Sequence, residues 1–244
     1  MKRAAEKEKI KTAFAGAAET YDSVAEVQAL SSAHLCEMIK TTMISAPPGE
    51  ILDVGCGTGI TSLEAMKIYP GAKYTLCDIS GEMVRESEKK IKNAQFIVCD
   101  AEKYDFPGNY DLGISNLAVQ WFESLDDFLG KILKHCRYFA FSTLTDGSFF
   151  NRKKKLENCG VFSEYPSSEE LLNICRQHGF LRKYDTKRYN LRFETFRASC
   201  EYFKKLGATA NFTGKNYENL FSILRDKHAA DLNYDVFFGI IEGR

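Results

Sequence analysis

Apolar residues near the start of the chain recur at helical spacing before they gather into short runs. Val27, Leu30, Leu35, Met38 and Ile39 predict a helix over about 26–44, behind a shorter one over about 5–15, and Pro47-Pro48-Gly49 stops it. The period then changes. Ile51-Leu52-Asp53-Val54 is a compact apolar run that meets glycines, and from there strands and helices are predicted to alternate. Strands are expected at 74–77, 96–99, 110–115 and 138–143, with helices at about 82–92 and 125–135 between them. Strands separated by helices of this length require crossover connections, so the pattern predicts a parallel sheet and no hairpins.

After Asp146-Gly147 the alternation breaks into the charged stretch Arg152-Lys153-Lys154-Lys155, and a helix resumes behind Pro166 over about 167–178. Two further strands, at 183–193 and 234–241, flank helix-like segments at 194–206 and 217–230. The reading is therefore a doubly wound, mostly parallel seven-stranded α/β sheet with amino-terminal helices and a helical cap over the ligand edge. One domain of 244 residues is expected: a lid over 1–46, a core over 47–145, and cap insertions at 146–166 and 194–231.

Composition narrows the function classes. Hydrophobic residues make up 44% and charged residues 27%, too apolar a mixture for a disordered chain. Lys plus Arg and Asp plus Glu are both 33, so no global field draws the protein to nucleic acid or to an anionic membrane. The start Met1-Lys2-Arg3 lacks a signal-like apolar core and no apolar run is long enough to span a bilayer, so a cytoplasmic location is expected. The closing Ile-Glu-Gly-Arg continues a strand-like run and is read as native. The eight cysteines form no CxxC pair and have no histidine at ligand spacing, so reduced thiols and no metal are expected. His34, His135, His178 and His228 all fall in predicted helices and receive no role.

The chemistry gathers at strand ends. Asp53-Val54-Gly55-Cys56-Gly57-Thr58-Gly59 joins the first strand to a helix, where glycines let backbone approach a ligand closely. Its G-x-G-x-G spacing differs from the G-x-G-x-x-G of dinucleotide sites and suits a ligand that presents an ammonium and a carboxylate. Asp78, beside Ile79 at the end of the second strand, is placed to accept both hydroxyls of a ribose. Asp100 ends the third strand, where a carboxylate can accept from an adenine amino group while Ala101 offers backbone contacts. A lone strand-end Asp is usually a turn residue. Asp53, Asp78 and Asp100 in succession mark the crevice where open α/β sheets bind ligands, and all three are expected to contact the cofactor.

From Ile51 to Phe106 the chain resembles the class I S-adenosylmethionine-dependent methyltransferases. That likeness implies that the Gly55–Gly59 loop meets the methionine part of the cofactor, Asp78 its ribose and Asp100 its adenine. A narrower resemblance is to the malonyl-[acyl-carrier protein] O-methyltransferases of biotin synthesis. It is carried by Ser115-Asn116-Leu117-Ala118-Val119-Gln120-Trp121, by Phe14 to Asp22 with Gln28, by Ser142-Thr143-Leu144, by Leu206-Gly207-Ala208-Thr209, and by the end from Leu232 through Gly239. The chain departs from that family at Gly16, where a basic residue is common.

The resemblance implies S-adenosylmethionine as cofactor, S-adenosylhomocysteine as product, and as acceptor a malonyl thioester on acyl carrier protein. Tyr21 and Gln28 are then expected to fold over the cofactor, the Tyr21 ring near its sulfonium. Tyr21, Asn116, Gln120 and Trp121 are expected to position the reactants; no acid–base residue is needed, because a malonyl carboxylate, with a reference pKa near ~4, is already ionised. Lys204 is the candidate reader of the malonyl carboxylate or of the carrier's phosphopantetheine, and Arg152 to Lys155 a landing strip for an acidic carrier surface. Another small acid as acceptor, or a cofactor-binding protein without turnover, remain alternatives. After the fourth strand there is no Asn-Pro-Pro-Tyr stretch of the kind that serves amino-group acceptors, which argues against nucleic-acid substrates.

Overall fold

The apolar run that meets the glycines becomes β1 (Glu50–Val54), near the centre of a seven-stranded sheet. A computed structural model describes residues 2–43, 47–149, 165–208 and 230–244. Two helices precede the sheet: α1 (Lys2–Ala17) and α2 (Glu26–Thr42), joined through a single 3-10 turn at Tyr21–Ser23. After β1 come α3 (Ile60–Ile68), β2 (Lys73–Asp78), α4 (Gly81–Lys90), β3 (Ala94–Val98), β4 (Tyr110–Asn116), α5 (Leu125–Ile132) and β5 (Cys136–Leu144). The remaining described elements are α6 (Ser168–His178), β6 (Gly179–Phe193), α7 (Phe196–Lys205) and β7 (Ala230–Gly243).

Across the sheet the order is β3-β2-β1-β4-β5-β7-β6. The β3 to β5 strands pair in parallel, while β7 runs antiparallel to both of its neighbours. The chain reverses its direction of travel between β1 and β4, so the crevice beyond their carboxyl ends is the place where an open sheet of this kind receives a ligand.

Alternation of side chains along the strands supplies both faces. On β1, Ile51 packs into one apolar cluster with Leu35, Ile39 and Phe238, while Leu52 and Val54 point into a second with Phe128, Phe139, Phe141 and Phe237. Both faces are thus closed by helices, as crossover connections require. Local capping agrees. Ser80 and Ser124 accept from Met83 N and Asp127 N at the starts of α4 and α5, and Ser167 forms a reciprocal capping box with Glu170.

Three boundaries differ from expectation. The helix read over 125–135 stops at Ile132, and His135 lies in the turn that leads into β5, its carbonyl accepting from Tyr110 N. Strand β6 starts at Gly179 and β7 at Ala230, earlier than periodicity indicated. β7 is paired on both sides, and its ladder with β6 extends from Gly179 opposite Gly243 to Phe193 opposite Ala230. Pairing of that length draws flanking residues into extended backbone beyond their own propensity. Ala230 thus belongs to a strand, whereas the rest of the helix read over 217–230, with His228, lies outside the described residues, as does 150–164 of the first cap insertion. No described helix is long and apolar enough to cross a membrane.

Candidate functional site

At the carboxyl ends of β1, β2, β3 and β4 a cleft opens under α1 and the turn that follows it. Of the candidates drawn from sequence, the cleft brings together Tyr21, Gln28, Gly55, Gly57, Asp78, Ile79, Asp100, Ala101, Asn116 and Trp121.

The glycine loop is shaped by left-handed backbone. Gly55 (φ +69°), Gly57 (φ +54°) and Gly59 (φ +85°) all adopt a conformation that side chains disfavour, but for different ends. A Cβ on Gly55 would stand 2.4 Å from the Ala118 Cβ, so this glycine lets β1's loop close against β4's. A Cβ on Gly57 would meet nothing within 4 Å, so here the bare backbone faces the cleft. Gly59 does not line the cleft. A Cβ there would collide with Ser87 Oγ at 2.6 Å and Ile91 Cδ1 at 2.9 Å, so its hydrogen admits α4 against α3.

Asp53 also departs from the cofactor-contact reading. Its carboxylate points behind the loop, 1% exposed, and accepts from Ser62 Oγ at 2.6 Å on α3. The other oxygen, Oδ1, has no hydrogen-bond partner. Burial, with Asp78 nearby, pushes the Asp53 carboxyl up to about 7 against the pull of the Ser62 hydrogen bonds. Its place is structural support beneath the loop.

Asp78 couples loop and strand. Its Oδ2 accepts from Gly57 N at 2.9 Å and its Oδ1 from Ser80 N at 2.8 Å, which leaves lone pairs on both oxygens turned to the cleft. Burial raises its pKa, and the backbone donors hold that rise in check.

Asp100 is gripped from α1. Lys7 Nζ on α1 lies 2.7 Å from Oδ1 and 2.6 Å from Oδ2, and 2.7 Å from the Glu102 carboxylate. Burial alone would lower the Lys7 pKa, but the two carboxylates outweigh it and the net shift is upward. For Asp100 burial pushes up and Lys7 more than compensates, so it stays below the usual carboxylate range. Lys7, Ile10 and Phe14 follow i, i+3, i+7 spacing and line the cleft together, a stripe on one helical face that sequence reading overlooked because no strong apolar period surrounds it. Phe14 meets Trp121 edge-on at 5.4 Å between ring centroids and packs near Tyr21 at 6.5 Å. The turn after α1 is pinned as well: Asp22 accepts from Thr58 Oγ1 at 2.5 Å and pairs with Lys90 at 2.6 Å. Burial raises the Tyr21 pKa far above its ordinary value, so its phenol stays neutral.

Asn116 lines the cleft, yet its amide is spent on the scaffold. Its Oδ1 accepts from Ser31 Oγ and Ser142 Oγ, each at 2.6 Å, and its Nδ2 donates to Gln28 O at 3.1 Å and Ser32 Oγ at 2.9 Å. All four positions of the amide are filled, so it ties α2 to β4 and β5 and has nothing left for an acceptor. Leu117 follows with φ 49°, an uncommon value for a side-chain-bearing residue, held by its N–H to the Ser142 carbonyl and hydroxyl. Gln120 is not a cleft residue: its Nε2 donates to Leu117 O at 2.7 Å, bracing that strained turn.

The substrate-side candidates separate. Lys204 lies exposed on α7 and does not line the cleft. Arg152, Lys153, Lys154 and Lys155 lie outside the described residues. Among the described residues no group of three or more His, Cys, Asp or Glu is arranged to hold a metal. Cys56 lines the cleft as a buried thiol whose pKa burial raises, so it packs as a small neutral side chain.

Comparison with known proteins agrees with this geometry. A family described as "Methyltransferase domain" matches residues 51–138, the span from β1 into β5. The chain is 30% identical over 239 residues to malonyl-[acyl-carrier protein] O-methyltransferase 1 of Ilyobacter polytropus, covering 91% of this chain and 88% of that protein. It is 31% identical to the malonyl-[acyl-carrier protein] O-methyltransferase of Priestia megaterium, over 83% and 82% of the two chains. Among solved structures, the plantazolicin methyltransferase BpumL in complex with S-adenosylhomocysteine superposes with a TM-score of 0.54 at 19% identity, covering 98% of each chain.

Proposed function

Because the chain belongs to the malonyl-[acyl-carrier protein] O-methyltransferase family of class I S-adenosylmethionine-dependent methyltransferases, we propose that it transfers a methyl group from S-adenosylmethionine to the free carboxylate of a malonyl thioester on acyl carrier protein. The product is the malonyl methyl ester with which biotin synthesis begins. The observation that carries the reading is the alignment of Gly57, Asp78 and Asp100 along one cleft, at the ends of three successive parallel strands.

These residues fit the cofactor. The open space where a Gly57 Cβ would project is a cradle for a ligand chain, Asp78 keeps acceptor capacity for two ribose hydroxyls, and Asp100 keeps a lone pair on Oδ2 for an adenine amino group. When bound, the cofactor supplies an electrophilic methyl group on a positively charged sulfur. The protein's share is placement and exclusion of water. The acceptor carboxylate is ionised near neutral pH, so no side chain has to remove a proton. Tyr21, Phe14 and Trp121 form the apolar wall of the cleft. In such a wall charge is poorly screened, and the opposite charges of nucleophile and electrophile cancel as the transition state forms, so a low-dielectric setting favours reaction. The neutral phenol of Tyr21 gives its ring face to the cation without adding a charge of its own.

The exposed position of Lys204 suits the acidic surface or the phosphopantetheine phosphate of a carrier, rather than a carboxylate sunk in the cleft, and the Arg152 to Lys155 run offers a second patch of the same sign. Lys204→Met should then raise KM for the malonyl carrier more at low salt than at high salt, while kcat holds. A cytoplasmic setting follows from the substrate and accords with the free thiols of Cys36, Cys56, Cys77, Cys99, Cys136, Cys175 and Cys200. The direct experiment incubates the protein with S-adenosylmethionine and, separately, malonyl-carrier protein, malonyl-coenzyme A and free malonate. A methyl ester on the carrier-bound malonyl group, found by mass and made faster than on the other two, is expected. No ester on any of them would leave a cofactor-binding protein without this activity.

A further inference from the structure

We propose that Lys7 is a positioning residue for the cofactor: its ammonium latches α1 over the adenine end of the cleft through Asp100 and Glu102, and so sets the rate at which the cofactor enters and leaves. The inference rests on the cofactor reading above.

Three observations carry it. First, Lys7 is only 9% exposed on a helix whose neighbouring Glu6, Glu8 and Lys9 all face solvent. A buried lysine requires full pairing, and this one has it. An ammonium has three N–H groups, and three carboxylate oxygens stand within 2.7 Å of Nζ: Asp100 Oδ1, Asp100 Oδ2 and Glu102 Oε2. Second, the receiving carboxylates are anchored on the sheet side and not on the lid. Asp100 Oδ1 accepts from Glu102 N at 3.1 Å, and Glu102 in turn accepts from Glu123 N and Ser124 N at 2.9 and 3.1 Å, which fixes it to the loop before α5. Third, among the described residues the other cleft-facing groups of α1 are apolar, Ile10 and Phe14, and Lys7 supplies a charged hold.

The same carboxylate that holds the helix is the one placed to read adenine. Asp100 Oδ2 has Lys7 at 2.6 Å and Lys103 only at 3.6 Å, so a lone pair remains for an exocyclic amino group. Helix and adenine then share one acceptor. A closed helix excludes water from Asp100 and strengthens its bond to the base, and a bound base excludes water from the Lys7 pair and strengthens the latch. By this reciprocity Lys7 contributes to cofactor binding without touching the cofactor.

The test is Lys7→Met, with Lys7→Arg as the conservative variant and Glu102→Gln to weaken the latch from the sheet side. S-adenosylhomocysteine is the probe, its release followed by stopped-flow displacement, and hydrogen exchange of residues 8–17 is read beside that of 26–42. Lys7→Met should release the probe about tenfold faster or more, the expected scale for losing a charged hydrogen bond. Exchange should rise over 8–17 and stay unchanged over 26–42. Lys7→Arg should recover most of the parent rate, and Glu102→Gln should fall between. Parent-like release and parent-like exchange in Lys7→Met overturn the latch while leaving the cofactor reading intact. Failure of the parent itself to bind millimolar probe overturns both.

Discussion

Asp53→Asn tests the electrostatics under the glycine loop. The Asp53 carboxyl is 1% exposed, bonded to Ser62 and left with one unpaired oxygen, and burial lifts its pKa from an ordinary 3.8 to about 7. A group with a raised folded pKa holds its proton in the native state after the unfolded chain has released it. Stability from that proton is therefore complete below about pH 4 and drains away as pH rises to about 7. The shift of roughly 3 units, at about 1.4 kcal/mol each, puts the total on the order of 4 kcal/mol. An asparagine is neutral at every pH and fits the same space, so it removes the titration. It also weakens the Ser62 hydrogen bond, but by an amount that does not vary with pH. The readout is thus a difference of differences. Urea unfolding of parent and variant without ligand should show the variant gaining about 2.6 kcal/mol on the parent between pH 5 and pH 8, since part of the parent's loss has already occurred by pH 5. Parallel stability profiles for the two proteins would refute the raised pKa and, with it, the assignment of Asp53 to loop support in a dry pocket.

Other substitutions probe the rest of the site. Asp78→Ala removes both the acceptor for the ribose and the partners of Gly57 N and Ser80 N, so calorimetry should show affinity for S-adenosylhomocysteine weakened by about 1–3 kcal/mol or more. Gly57→Ala should cost about 1 kcal/mol in stability for its left-handed backbone yet weaken cofactor binding, because its Cβ enters the cleft. Gly55→Ala, by contrast, drives a Cβ to within 2.4 Å of Ala118 and should lower the melting temperature by several degrees as well as impair binding. Asn116→Ala takes away the amide that Ser31, Ser32, Ser142 and the Gln28 carbonyl share and should destabilise by about 2–4 kcal/mol in chemical denaturation.

The sheet was readable because its strands are apolar runs between helices, a signal that depends only on period. Strand ends were readable for the same reason, which is why Asp78 and Asp100 fall on one cleft. What the motif could not reveal is direction. Asp53, Gly57 and Gly59 belong to one seven-residue string, yet one turns to Ser62 on α3, one to the cleft and one to helix α4, a sorting that residue type alone does not reveal. Asn116 invited a role in substrate contact because amides at strand ends are costly to bury, but three serines and the Gln28 carbonyl, all distant in sequence, satisfy it completely. Lys7 was hidden for the opposite reason: on a helix bristling with charges, nothing local marks the lysine whose partner lies 93 positions away.

The placement of β7 governs the order in which the molecule can be assembled. It is the last described strand along the chain, yet in the sheet it stands between β5 and β6, antiparallel to each. β6, made earlier by the ribosome, therefore has no neighbour to join until β7 arrives. Through that interval β5 and β6 each carry a bare row of amides and carbonyls, and β5 a stretch as apolar as Phe139-Ala140-Phe141, features that invite pairing with a second nascent chain. A chain interrupted before β7 should thus aggregate, and slow translation just before residue 230 should prolong the hazard.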